Sequence, residues 1–514
     1  MDNQQPQKRN IPRSIFSTLE YLFIPARDVA SIYWTLAAIT FIGIVMRVLQ
    51  IDDPIAYDEA YTFVYYATRE FKHILADYSA PNNHILHTIL VRVFYEIFGM
   101  QPWTVRLPAL LAGTLCIPAA YFAARRIFNP HQSMAGAALV ALTPWFISYS
   151  ANGRGYTLIV LFSLILANFG ALLLVQQKRT ALAAFAITAA LGFYTIPIFL
   201  YPMMGISLWV WATYLTEAEP WKDRSAKIWA FLTACAAAAL LTLLLYSPVI
   251  LFGTGWDSIT SNEFVASRGW TEFDNLQPRM IRTWQSWMQG IPALVEFLLV
   301  LGFLISLLFY RQASRQRLPL QLFLVLAIPI LIVPQRVVPL ARVWMYLEAF
   351  YLIFAGAGLA WLAELLLDRL VKPASTARLL PAAILLFVTG VFADQYFSMR
   401  QGSGIANQDL PEQYAAEFLT TQLKEGDKVL SISPVDIQTA YYLLMGGVPY
   451  DVFYQRDHPV EVQNAVVVLR TNSKYNTPER VLDFYKITDE FDLASTRLIF
   501  EYGPLQIFSI PAEE

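Results

Sequence analysis

Charge is scarce in this sequence. Only 15% of its 514 residues are charged, against roughly 25% in soluble globular domains, and 56% are hydrophobic. That shortage excludes a chain folded wholly in water. An excess of positive charge is missing too. With 37 Lys and Arg against 39 Asp and Glu, no basic face is available for a nucleic-acid backbone. The only two cysteines, Cys116 and Cys235, lie inside apolar runs, where a thiol acts as a small buried hydrophobe rather than as half of a disulfide. The first 30 residues lack the apolar core and small-residue cleavage site of a secretory leader, so the first apolar run is expected to stay as an uncleaved anchor. Neither a repeat period nor a low-complexity tract is present.

What the sequence does contain is long hydrophobic runs. A helix crossing about 30 Å of hydrocarbon needs roughly 20 mostly apolar residues. On that rule about eleven spans are predicted, near 31–50, 104–123, 132–149, 156–176, 180–197, 198–215, 228–250, 291–310, 318–335, 343–366 and 377–394. The stretch 84–98 is apolar but makes only roughly 22 Å of helix. His84, Thr88, Arg92 and Glu96 recur along it at every fourth residue, as in an interfacial amphipathic helix. With that stretch left out, the basic clusters at 8–27, 125–126, 178–179, 222–227, 311–317 and 369–372 fall on one side, which the positive-inside rule makes cytoplasmic. The segments 51–103, 251–290 and 336–342 and the C-terminal tail then lie outside. Composition changes near residue 395. The two predicted domains are 1–394, membrane-embedded, and 395–514, a small soluble extracytoplasmic α/β domain. In the second, strands are expected at 427–433, 464–470, 496–501 and 505–509, with helices at 411–424 and 477–486.

Candidate chemistry collects at the outside ends of the spans. Asp58 and Glu59 are adjacent carboxylates just beyond the first span, where desolvation and mutual repulsion can make one of them a base; the competing reading is a helix cap. Asn83, His84 and His87 enter the amphipathic stretch. Two histidines three apart without a third ligand are a poor metal site, so no metal or other cofactor is expected. Arg154 stands between two glycines, followed by Tyr156, at the mouth of a span. It is read as facing a cavity or as snorkelling to the interface. Arg268, Arg279 and Arg282 sit among tryptophans in the 251–290 loop, and Arg336 and Arg342 bracket a span start. Such cations suit a phosphate.

In that order, an Asp-Glu pair, a juxtamembrane Asn-His helix and an Arg-Gly-Tyr turn resemble the GT-C superfamily of polyprenyl-phosphate-sugar-dependent glycosyltransferases. Among these the sequence looks most like glycosyltransferase family 39, the protein O-mannosyltransferase type, with its bacterial relatives the aminoarabinose transferases. The resemblance implies an inverting transfer from a lipid-phosphate sugar to an acceptor hydroxyl at the extracytoplasmic face of a cell (inner) membrane. Asp58, with Glu59, would be catalytic, and Asn83, His84, His87, Arg154, Tyr156, Arg268, Arg282 and Arg342 would bind substrate. Implied partners are the polyprenyl-phosphate-sugar donor, a glycan, lipid or protein acceptor, and membrane lipid. Asn83-His84-Ile85 stands where protein mannosyltransferases carry His-Pro-Pro, which weakens the case for a protein acceptor. A transporter or flippase of a lipid-linked glycan is the alternative, although such proteins place charge near the bilayer midplane rather than at span ends.

Overall fold

The structure is a computed structural model describing residues 15–25, 27–262, 266–267, 269–370, 390–391, 410–455 and 462–513. The expected span at 377–394, apart from residues 390–391, and the expected domain boundary near 395 lie outside the described residues. Six described helical segments are long and apolar enough to cross a membrane: Ala30–Val48, Pro102–Arg125, Tyr156–Val175, Pro197–Thr216, Trp221–Phe252 and Ala341–Leu367. The shorter apolar helices Arg179–Thr195, Ala293–Leu308 and Leu320–Gln335 pack among them.

Small residues set the closest helix contacts, as expected where lipid removes the hydrophobic drive between helices. A Cβ on Gly136 would lie 2.8 Å from the Ile353 Cα, and one on Gly356 would lie 2.7 Å from the Gly136 backbone nitrogen. The helices Pro130–Leu142 and Met345–Leu370 thus meet backbone to backbone, and the middle of the latter is fully enclosed.

Two sequence expectations need correction here. The span predicted at 132–149 is broken into Pro130–Leu142 and Pro144–Ser150, with Thr143 extended at ψ 127° between them. Pro144 has no N–H to give to the preceding turn, and the residue before a proline is biased out of the helical region. Carbonyls released by the break, Ala141 O at 2.7 Å and Val140 O at 3.4 Å, accept from Arg47, which is completely buried and also donates to Gly43 O at 2.9 Å and the Ser150 hydroxyl at 3.0 Å. That buried arginine fixes the segment leading into the Arg154 turn.

The second correction concerns Ile85–Phe98, whose polar stripe the sequence period assigns to the interface. His84, Thr88 and Arg92 face the protein instead, and Glu96 alone of the stripe is exposed. His84 and Thr88 are buried, and Arg92 donates to Ala67 O and Arg69 O at 2.8 Å each, while Val93, Ile97 and Phe98 point outward. The polar side turns inward because backbone carbonyls and the site lie there.

In the C-terminal region a four-stranded sheet has the order β1-β2-β4-β3, with β1 Asp427–Ser431, β2 Asn464–Arg470, β3 Arg497–Tyr502 and β4 Leu505–Pro511. β1 and β2 are parallel and the other pairs antiparallel. β2 carries five consecutive buried residues, as suits a central strand covered on both faces. A helix not foreseen from the sequence, Asp436–Met445, packs this domain onto residues 55–67. Gln438 donates to Ile55 O at 2.8 Å and the Tyr442 hydroxyl accepts from Ile55 N at 3.2 Å. Phe63 stands edge-on to Tyr441, their centroids 5.4 Å apart. The C-terminal domain thereby grips the loop that begins the Asp58 helix.

Candidate active site

The helix Tyr57–Thr62 presents its two carboxylates to different surroundings. Glu59 is fully buried. It caps its own helix by accepting from Ala56 N at 2.8 Å, and it takes a two-pronged ion pair from Arg106, Nε to Oε1 at 2.9 Å and Nη2 to Oε2 at 2.8 Å. Arg106 uses its remaining donors on Ile51 O at 3.0 Å, Pro54 O at 2.9 Å and Asp53 O. All five guanidinium N–H groups are matched, and the loop 51–54 is wound around one side chain.

Asp58 is 37% exposed and faces the other way. Its Oδ2 lies 2.9 Å from Arg154 Nη1 and 3.3 Å from Arg342 Nη1. Arg154 is 3% exposed and Arg342 30%, so the three groups form a charged lip with one closed and one open side. The guanidinium carbons of Arg154 and Arg342 sit 5.8 and 5.9 Å from the Tyr156 ring centroid, and that ring meets His84 edge-on at 5.3 Å.

The turn carrying Arg154 is held at both flanking glycines. Gly153 N–H donates to Glu59 Oε1, and Gly155 N–H donates to His84 Nδ1 at 2.9 Å. Neither position has room for a Cβ: at 153 it would lie 2.8 Å from Val105 Cγ1, and at 155 2.8 Å from Thr195 Cγ2. Glu59 and His84 therefore fix the backbone on either side of Arg154, which ties the three short motifs into one unit. A neutral His84 with Nδ1 accepting must carry its proton on Nε2. That N–H then faces Arg154 Nη2 at 3.3 Å, a pair of donors that a shared anionic oxygen would satisfy. Burial first, and the Arg154 charge second, push His84 well below the usual imidazole value. His87 is lowered to about 3 by the same two causes.

Beside this lip lies a cavity of about 350 Å³. Arg154, Arg342, His84, Tyr156 and Arg279 line its polar part, and Ile196, Ile198, Leu200, Val337, Leu340 and Val343 its apolar part. A charged head and a greasy wall in one cavity fit an amphiphile with an anionic end.

Not every sequence candidate reaches this cavity. Arg282 is on the exposed side of the helix Leu276–Trp287 and does not line it. Arg279, three residues earlier, does, paired to Glu272 at 2.9 Å. Arg268 lies outside the described residues. Asn83 is buried behind the wall, where its amide donates to Ile74 O at 2.9 Å and Asp77 O at 2.7 Å, tying the 77–82 strap. His87 is buried and makes no side-chain hydrogen bond among the described residues. Among those residues no three His, Cys, Asp or Glu groups gather at one point. Sequence reasoning missed Arg47 and Arg106. Both are arginines placed at or inside apolar runs, and the cost of a charge there is itself a sign that each is held by partners.

These features define a polytopic membrane protein whose charged lip and amphipathic cavity meet at one juxtamembrane helix. The sequence model of the family described as dolichyl-phosphate-mannose-protein mannosyltransferase matches residues 83–252, which takes in His84 and Arg154. Among solved structures, ArnT from Cupriavidus metallidurans bound to undecaprenyl phosphate is similar at a TM-score of 0.60 and 14% identity, over 94% of this chain and 98% of that one. The oligosaccharyltransferase of Archaeoglobus fulgidus tethered with an acceptor peptide is similar at 0.57 and 12% identity, over 89% and 72%. The same organism's AglB in complex with an inhibitory peptide and a dolichol-phosphate matches at 0.51 and 11%, over 92% and 74%. Comparison with curated proteins gives no match. The chain has the GT-C fold.

Proposed function

We propose that this protein transfers a sugar from a polyprenyl-phosphate-linked donor to an acceptor hydroxyl at the extracytoplasmic face of the cell membrane, with inversion at the anomeric carbon. The observation that carries the reading is the contact of Asp58 with Arg154 and Arg342 at the mouth of a cavity with cationic and apolar ends. The similar structures that hold undecaprenyl phosphate and a dolichol-phosphate support the class of donor.

In this reading the lipid phosphate sits between Arg154, Arg342 and the His84 Nε2–H, with its prenyl chain along the Ile196–Leu200 and Val337–Val343 walls. The phosphate competes with Asp58 for the same two guanidiniums. As they turn to it, the Asp58 carboxylate is freed to accept the proton of the acceptor O–H. The acceptor oxygen forms a bond to the anomeric carbon from the face opposite the phosphate, the carbon–oxygen bond to phosphate breaks, and its electron pair leaves with the lipid phosphate. Charge grows on that leaving oxygen, and fixed cations aimed at it lower the barrier by several kcal/mol. Glu59 acts as a positioning residue through the Arg154 turn.

The test is sugar release from a panel of radiolabelled polyprenyl-phosphate sugars in nanodiscs. Wild type is expected to turn one over and Asp58→Asn to be slower by at least about a thousandfold. A wild type no better than empty membrane overturns the reading and advances a transporter.

A further inference from the structure

Across the strap 77–82 from the lipid-phosphate cavity, and reached at Tyr61 one helical turn beyond Asp58, lie two adjoining hollows of about 520 and 350 Å³ that share Tyr65 and Arg69. The wall between the first of them and the lipid-phosphate cavity is the strap 77–82. Tyr78, Pro81 and Asn82 line one side, Asp77 and Ser79 the other.

Local structure explains the concentration of rings. After Thr62 the helix widens into a π turn, Phe63–Ala67, a distortion that often marks functional sites. The extra residue per turn brings Tyr65 and Tyr66 onto the same side as Tyr61, with ring centroids 4.5 and 6.3 Å from it. Tyr450 of the C-terminal domain closes the groove, 6.4 Å from Tyr65 and under the Arg69 guanidinium at 4.6 Å. Arg69 is itself steadied by Arg92, which donates to its carbonyl. Carboxylates stand at both ends: Asp77, 3.3 Å from His73, and Asp436 in the second hollow.

We infer that this groove between the two domains binds the acceptor, and that the acceptor is a saccharide. Ring faces suit the C–H faces of a sugar, while carboxylates and a guanidinium within reach of those rings suit its hydroxyls. Among the described lining residues only Ile437 and Ala440 are aliphatic, too little surface for a lipid tail. Asp436, lifted above the usual carboxylate value by burial, lines the second hollow and adds a polar partner there for a hydroxyl. The groove also joins the domains: its lining comes from residues 61–79 on one side and 431–485 on the other. This gives the C-terminal domain a task that the lipid-phosphate cavity does not.

The inference rests on the glycosyl-transfer reading, and its test separates the two. Full-length protein in nanodiscs is given radiolabelled donor and increasing amounts of envelope membrane from the source organism as acceptor. Label is expected in a protease-resistant product that survives the mild acid hydrolysis of polyprenyl-phosphate sugars and yields, on partial hydrolysis, the labelled sugar joined to a second sugar. Tyr65→Ala and Tyr450→Ala are each expected to raise the acceptor needed for half-maximal rate by at least about tenfold. Competition by undecaprenyl phosphate alone should stay within about twofold of wild type. Arg69→Gln, which leaves the rings and the fold in place, should shift the acceptor requirement in the same direction. Label in protease-released peptides, or groove variants with unchanged acceptor dependence, overturns the saccharide groove while donor turnover stands. A wild type that transfers nothing removes both readings.

Discussion

Two faces of one short helix, Tyr57–Thr62, behave as opposites. Towards the bundle, Glu59 is sealed with Arg106 and two backbone N–H groups, and every guanidinium donor is used. Towards the cavity, Asp58 shares one oxygen between two arginines, one of them open to the exterior. A fully matched buried pair is a scaffold, because either partner alone would be an uncompensated charge in a dry place. A half-exposed carboxylate touching two cations on one oxygen has bonds that a ligand can take over. Adjacent acidic residues thus divide into a part that must not move and a part that must.

The sharpest way to break this comparison is to disturb the sealed side. Glu59→Gln or Arg106→Met is expected to cost about 3–5 kcal/mol, seen as a large fall in the thermal midpoint and loss of monodisperse protein in detergent. The double variant should recover part of that loss. Asp58→Asn, by contrast, should stay within about 1 kcal/mol of wild type while losing transfer. If both carboxylates lower stability alike, the division of roles fails.

The open side is sharpened by comparing arginines. Arg342→Ala should lower the transfer rate by about 10²–10³, as removal of a fixed charge from a leaving group does, with Arg342→Lys recovering only part because the fork geometry is lost. Arg282→Ala, on the exposed side of its helix, should remain within about twofold of wild type, a surface change away from the reacting charge. A strong effect at Arg282 would move the phosphate away from Asp58.

Much of this was legible in the sequence, for physical reasons that can be named. Apolar run length gave most of the spans, and alternation gave all four strands to within a few residues, since both patterns are local. Asp58, Arg154 and Arg342 stood out because charge at a span mouth is costly without a function. What stayed hidden depends on contacts between distant segments. Whether Arg279 or Arg282 lines the cavity turns on the rotation of one short helix. The roles of Arg47 and Arg106 follow from carbonyls freed by a helix break at Thr143 and by the winding of residues 51–54. The stripe His84, Thr88, Arg92 has the same period whether it faces water or protein, so periodicity alone assigned it to the wrong side. The helix Asp436–Met445, which docks the C-terminal domain, is a short apolar stretch without a polar periodicity to announce it.

The smallest effect concerns the two buried histidines beside the Arg154 turn. His84 and His87 are both buried and held below the ordinary imidazole value, so the folded protein keeps them neutral while the unfolded chain protonates them near pH 6.5. The unfolded state then binds more protons as pH falls below about 6.5, and stability must fall with it, by about 1.4 kcal/mol per pH unit for each histidine once well below that value. For His87 the loss would continue towards pH 3, where the folded protein protonates as well. At pH 6 the expected cost is about 1 kcal/mol per histidine, measurable as a drop in the thermal midpoint between pH 7.5 and 6. His87→Leu removes one titrating ring that makes no side-chain hydrogen bond among the described residues, so it should halve the slope without touching the Arg154 turn. An unchanged slope would mean that His87 is protonated in the folded state, and that the helix Ile85–Phe98 carries a charge on its inner side.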